Sequence, residues 1–268
     1  MILVNGQWQG GGDPVTCAAA EDLWRTYLPG KAVERVEIDQ PPLPEKRHSV
    51  RGYDAILRQT ERSWALLRQR QPDRLFTLGG GCDADVASIA YLNEQARGDL
   101  TVFWFDAHGD LNAPEESASG LFYGMPARVL MQPQDGFLPL VPAPVKTENW
   151  MLLGGRDLDP PETAFLQKHA IACCPPGGGR EEWTRFLRQH RGKRAYIHFD
   201  LDVLDPAEFS ATPLPVAGGL SVEETFSMLR QIRQEMDLVG FGLFEYTGGA
   251  GKNAVLEAAV AFGEALEK

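Results

Sequence analysis

Three acid-rich segments carry the chemistry this chain could perform: Asp106-Ala-His108-Gly-Asp110, Asp200-Leu-Asp202-Val-Leu-Asp205-Pro206, and Glu245 within FGLFEY. Each closes an apolar run that reads as a strand. Carboxylates crowded at such ends repel one another and lose hydration, which is costly unless cations neutralise them. Residues i, i+2 and i+4 of an extended strand point the same way. Asp106, His108 and Asp110 are therefore expected to converge, as are Asp200 and Asp202. Five oxygen or imidazole donors around one point imply a divalent metal site, with two ions. Carboxylate-rich ligation with some nitrogen suits manganese or magnesium better than zinc, and leaves nickel open.

The elements that must position these groups alternate along the chain. Apolar runs that read as buried parallel strands cover 33–38, 75–80, 100–108, 150–156, 194–202 and 238–246. Helical patterns cover 49–70, 85–97, 162–170, 180–190, 221–236 and 254–268. Such alternation predicts an α/β fold with a mainly parallel sheet and helices on both faces, as one domain over 1–268. Two long connections, from Leu111 to about Pro126 and from Pro206 to Gly219, directly follow the acid clusters. Ligands of open α/β sheets bind beyond the carboxyl ends of strands, and every cluster sits at such an end. The glycine-rich stretches at 10–14, 175–179 and 247–253 read as turns.

Composition narrows the function classes. A formal charge of −11 argues against nucleic acid or an anionic membrane surface as partner. No run has the length of a spanning helix, and MILVNGQWQG lacks the layout of a signal peptide. Four irregularly spaced cysteines (Cys17, Cys82, Cys173, Cys174) fit a reducing cytoplasm, with the adjacent Cys173 and Cys174 read as small buried residues.

LGGGCDAD (78–85), DAHGDLN (106–112), SGLFYGMP (119–126), GGRDLDPPE (154–162), FDLDVLDP (199–206) and FEY (244–246) occur in the order and approximate spacing of the arginase/agmatinase (ureohydrolase) superfamily, which the chain resembles from about Leu75 to Tyr246. The resemblance implies a three-layer α/β/α fold and two Mn(2+) ions per subunit, bridged by hydroxide. It implies hydrolysis of a guanidino group, and assembly into homo-oligomers. Carried over by position, Asp106 and Asp200 would bridge the ions. His108 and Asp202 would complete one shell, and Asp110 would bind the other ion. Glu245 would pair with the guanidinium. Asn112 and Ser119 would hold an α-carboxylate and Asp159 an α-amino group, which favours an α-amino acid over agmatine.

Three positions depart from the superfamily pattern. Cys82 replaces a metal-binding histidine. It reads either as a thiolate ligand, softer than manganese prefers, or as a small buried residue. Asp83 or Asp85 could compensate, or could cap the helix that follows. Tyr123 stands where arginases carry a proton-shuttling histidine, and reads as a hydrogen-bond donor to substrate or as packing. Leu214 stands where arginases supply a hydroxyl, with Thr212 two residues earlier. His48, His169 and His190 are expected at the surface. His198, on the face of Asp200 but deeper, is expected to be buried and satisfied. Cys82 with Tyr123 resembles the branch that hydrolyses N-omega-hydroxy-L-arginine. The expected activity is therefore that of an amidinohydrolase on arginine or its N-hydroxy derivative, with catalytic roles for Asp110, Glu245 and Tyr123. Hydrolysis of another guanidino or formimino acid, and a non-catalytic binding role, are the competing expectations.

Overall fold

The computed structural model describes residues 1–40, 46–133, 137, 140–249 and 251–267. Among these residues eight parallel strands form one sheet in the order β2-β1-β3-β8-β7-β4-β5-β6. They are β1 (Ile2–Asn5), β2 (Glu34–Arg35), β3 (Leu75–Gly79), β4 (Thr101–Phe105), β5 (Trp150–Leu153), β6 (Ala172–Cys174), β7 (Arg194–Asp200) and β8 (Asp237–Phe244). The central strands are buried on both sides, which is why they read as unbroken apolar runs. Alternation sends Phe103, Phe105 and Phe199 into one core layer and Val102, Trp104 and Tyr196 into the other.

Helices cover both layers. On the first face lie α1 (Val15–Tyr27), α6 (Arg180–His190), α7 (Val222–Glu235) and α8 (Ala254–Glu264). On the second lie α2 (Tyr53–Arg70), α3 (Val86–Gln95), α4 (Pro126–Met131) and α5 (Pro160–Lys168). Start signals in the sequence act locally. The Ser221 hydroxyl accepts from Glu224 N at the head of α7, and Asn253 Oδ1 accepts from Val255 N at the head of α8.

Several sequence expectations need correction. Of the run 33–38 only Glu34–Arg35 is strand, paired with β1, and Val36 N adds a bond to Val4 O at 3.0 Å. Strands β1 and β6 and helices α1 and α4 lie outside the sequence expectation, because β1, β6 and α4 have only four, three and six residues and the buried face of α1 is made of Thr16, Ala19, Ala20 and Leu23. The helix anticipated from Ser49 starts at Tyr53, after Gly52 takes a positive φ of 69°. The closing helix ends at Glu264 and tightens over Ala265–Glu267, while Lys268 lies outside the described residues. His190 is buried rather than superficial. It stacks on Phe186, with Nδ1 2.9 Å from Phe186 O. Cys174 is buried as expected, whereas Cys173 is only half-buried.

Candidate metal and active site

Four adjacent strands, β3, β8, β7 and β4, deliver the site at their carboxyl ends. Beyond β3 the chain turns through Gly80-Gly81 into a tight helical turn, Cys82–Asp85. A Cβ on Gly80 would stand 2.2 Å from Gln7 O, so glycine is what lets this turn press against the N-terminal segment. Asp106, His108 and Asp110 follow β4, Asp200 closes β7, Asp202 lies in the turn Leu201–Val203, and Glu245 follows β8.

Convergence of the acids does not come from strand alternation. Strand β4 stops at Phe105 and β7 at Asp200, and the chain then curls. Carboxylates bind the backbone of that curl themselves. Asp106 Oδ1 accepts from His108 N at 2.6 Å, Asp200 Oδ1 from Asp202 N at 2.7 Å, and Asp202 Oδ1 from Ala107 N at 2.9 Å. Asp110 and Glu245 sit at φ 54° and 59°, the left-handed region that non-glycine residues rarely adopt.

The donors fall into close groups. One oxygen each of Asp106 and Asp202 lies within 4.8 Å of a nitrogen of His108, whose Nδ1 is 3.0 Å from Asp202 Oδ2 and 3.3 Å from Asp106 Oδ1. Cys82 Sγ with one oxygen each of Asp200 and Glu245 forms a second group, and Cys82 with Asp106 and His198 a third, the donor atoms of each lying within 4.8 Å of one another. Cys82 Sγ is 3.1 Å from Asp200 Oδ2, and Cys82 N donates to Glu245 Oε1 at 3.1 Å. Asp110 lines the same cavity outside these groups, with Oδ2 lacking any partner.

Burial dominates the electrostatics. It pushes Asp106 up to about 7, with Asp202 adding to the effect, and Glu245 up to about 8, with Asp83 adding. Asp110 and Asp200 are driven well above the usual carboxylate range, first by burial and then by neighbouring acids. Burial alone would lower His108, but its bonds to Asp106 and Asp202 win and raise it strongly. Burial and then Asp200 push the Cys82 thiol upward. Among the described residues lining this cavity there is no lysine or arginine. Enclosed acids with His108 as their one basic neighbour in this lining, some oxygens unpaired, together with thiol and imidazole donors, fit divalent ions.

Two adjoining cavities, an inner and an outer lobe of the site, share His108, Asp110, Tyr123 and Leu214 in their lining. The inner lobe, about 310 Å³, holds the donor groups with Tyr123, Thr212 and Glu245. The outer lobe, about 490 Å³, shares His108, Asp110 and Tyr123 and brings in Asn112, Ser119 and Asp159. Asn112 Nδ2 donates to Asp159 Oδ2 at 2.9 Å. Glu162, in the first turn of α5, ties the two clusters together by accepting from Leu111 N and Asp159 N at 2.9 and 2.8 Å.

The sequence pattern described as the arginase family matches residues 31–263. The chain belongs to the arginase family. It is 30% identical over 249 residues to an arginase of Staphylococcus aureus (strain MRSA252), covering 85% of this chain and 81% of that protein. To mouse arginase-1 it is 31% identical over 191 residues, 66% of this chain and 59% of that protein. The fold is shared with Entamoeba histolytica arginase, solved in complex with L-ornithine, at TM-score 0.81 and 20% identity over 99% of this chain and 96% of that one. It is also shared with Bacillus subtilis formimidoylglutamase, at TM-score 0.72 and 17% identity over 99% and 84%.

As an arginase-family chain, its departures acquire a geometry. Cys82 points its sulfur into the acid cluster. Asp83 and Asp85 do not follow it there. Asp83 Oδ2 takes the Gln7 side-chain amide, and burial pushes Asp83 up to about 7. Asp85 makes no side-chain cap to α3 and bonds His198 instead. His198 is buried as expected but only half satisfied, since Nε2 has no partner. Thr212 brings a hydroxyl into the inner lobe, whereas Leu214 lines its rim with 43% exposure. The N-terminal residues Trp8, Asp13 and Thr16 also line the inner lobe. Trp8 and Thr16 belong to no acid cluster and Asp13 falls in the glycine-rich stretch 10–14 that reads as a turn, so none of the three carries a site signal in the sequence. Among the described residues no helix is long and apolar enough to cross a membrane.

Proposed function

We propose that the protein hydrolyses the guanidino C–N bond of an α-amino acid, L-arginine or N-omega-hydroxy-L-arginine, releasing ornithine with urea or hydroxyurea. The observation that carries this reading is the adjacency of two cavities that share His108, Asp110 and Tyr123, one lined by acid, thiol and imidazole donors and the other by Asn112, Ser119 and Asp159. Entamoeba histolytica arginase, of the same fold, was solved with L-ornithine, the amino-acid product of such a reaction.

The ions proposed are two Mn(2+) per subunit, held by Cys82, Asp106, His108, Asp110, Asp200 and Asp202. Divalent ions in such sites supply Lewis acidity and a water that deprotonates near neutral pH. The protein's own groups do the rest. Glu245 pairs with the guanidinium, where a carboxylate supplies both charge and a planar fit. Asn112 and Ser119 take the α-carboxylate, and Asp159 the α-amino group. As water adds to the guanidino carbon, Asp110 accepts a proton and returns it to the departing δ-nitrogen, so that the C–N bond breaks to a neutral amine. Tyr123 donates a hydrogen bond to a substrate heteroatom. An N-hydroxyguanidine is less basic than a guanidine and offers an N–OH to Tyr123, which favours the hydroxylated substrate. Four cysteines without disulfides support a cytoplasmic setting.

The test is ornithine release by manganese-loaded protein from N-omega-hydroxy-L-arginine and L-arginine in parallel. Rapid turnover of the hydroxylated substrate is expected, and absence of ornithine from both would remove the α-amino-acid reading.

A further inference from the structure

His198 stands one position before the FDLDVLDP segment, and none of the roles above uses it. Its ring is fully buried between two aromatic planes. The Trp104 indole lies at 3.5 Å and 4°, and the Phe244 ring at 4.5 Å and 12°. Nδ1 is 2.9 Å from Asp85 Oδ2, while the other Asp85 oxygen accepts the Tyr196 hydroxyl. Nε2 is enclosed and has no hydrogen-bond partner. A ring nitrogen of His198, Cys82 Sγ and an Asp106 oxygen lie within 4.8 Å of one another. With Nδ1 committed to Asp85, Nε2 is the nitrogen free to serve that group.

We propose that His198 is a metal ligand positioned by Asp85, and that with Cys82 and Asp106 it forms one of two ion positions sharing Asp106. The proposal rests on the metal-dependent reading above. A carboxylate behind Nδ1 fixes the tautomer that leaves the Nε2 lone pair outward, and makes that nitrogen a better donor. An enclosed lone pair without a donor is a standing cost that an ion removes. The aromatic sandwich fixes the ring plane, so the lone pair needs no reorientation on binding. The position at Asp106–His108–Asp202 is oxygen-rich, whereas thiolate, imidazole and carboxylate together make a softer site that holds manganese less firmly and takes cobalt readily as a probe. The imidazole absent at position 82 is thus replaced from β7, two strands away in the sheet.

The test is titration of metal-stripped full-length protein with cobalt(II), with ions counted by elemental analysis and followed by absorption. Wild type is expected to bind two ions per chain and to show a thiolate-to-cobalt band. His198→Gln is expected to keep the ion at Asp106–His108–Asp202 but to bind the thiolate-linked ion about 10- to 100-fold more weakly, with a shifted band. Asp85→Asn should weaken the same ion and leave the other unchanged. Should His198→Gln fail to fold, X-ray absorption on the wild-type cobalt protein decides instead, since two imidazoles per two ions are expected and one would overturn the assignment. Unchanged affinity and band in a folded His198→Gln would also overturn it while leaving the two-ion reading intact. Wild type that binds no cobalt would overturn the metal-dependent reading itself, and the role of His198 with it.

Discussion

Cys82 Sγ lies 3.1 Å from Oδ2 of Asp200, a separation two anions do not hold without a cation or a proton between them. Burial and the surrounding carboxylates raise the thiol pKa, so the proton serves in the metal-free protein. An ion reverses that preference by stabilising the thiolate. Cys82→His should therefore strengthen manganese binding relative to cobalt or zinc by roughly tenfold, because imidazole suits the harder ion better than thiolate does. Competition titration checks this, and an unchanged preference would mean that Cys82 is not a ligand.

Metal-free protein should lose stability as pH rises. Asp83 and Asp106 titrate near 7 and Glu245 near 8 in the folded chain, against ordinary values of about 4. The folded state thus holds more protons than the unfolded chain from about pH 4 to 8, so the stability present at the acid end is lost through that window. The raised His108 acts in the same direction above about pH 6.5. The melting temperature without metal should be lower at about pH 8.5 than at about pH 5.5, and divalent ions should restore most of the loss. A metal-free melting temperature that rises over this range would contradict the burial argument.

Tyr123→Phe isolates the phenol. Burial raises its pKa, so the hydroxyl remains a donor throughout the neutral range. Removing it should lower kcat/KM for the hydroxylated substrate about tenfold, the worth of one hydrogen bond, with metal stoichiometry unchanged. Steady-state kinetics with unchanged kcat/KM would assign Tyr123 to packing.

Arg156 is a strut under the loop after Asp202. Its Nη1 donates to Gly154 O at 3.0 Å, and its Nη2 to Asp202 O and Val216 O, both at 2.7 Å. Lysine cannot reproduce that fork. Arg156→Lys should cost about 2–4 kcal/mol by leaving carbonyls unsatisfied. It should also weaken substrate binding, because Thr212 and Leu214 lie on the same loop. Urea unfolding gives the first quantity and KM the second.

The central strands were legible because parallel strands buried on both faces leave continuous apolar runs, and LTVFWF and YIHF are such runs. Helix α1 was not legible, since its buried face of Thr16, Ala19, Ala20 and Leu23 offers a single large apolar side chain. The acids are legible by type and order, but strand alternation does not explain their convergence, which comes from the turns beyond Phe105 and Asp200. His198 shows the limit most clearly. Asp85 is 113 residues away, and no local spacing reveals that the two meet.

The positive φ angles of Asp110 and Glu245 set heat tolerance against turnover. A non-glycine residue in that region costs roughly 1–3 kcal/mol, and each of these two also encloses a charge-bearing group. Glycine at either position would relax the backbone and remove an acid from the cluster. A library of this chain selected only for survival at high temperature should accumulate such replacements, and its hardiest members should be its least active.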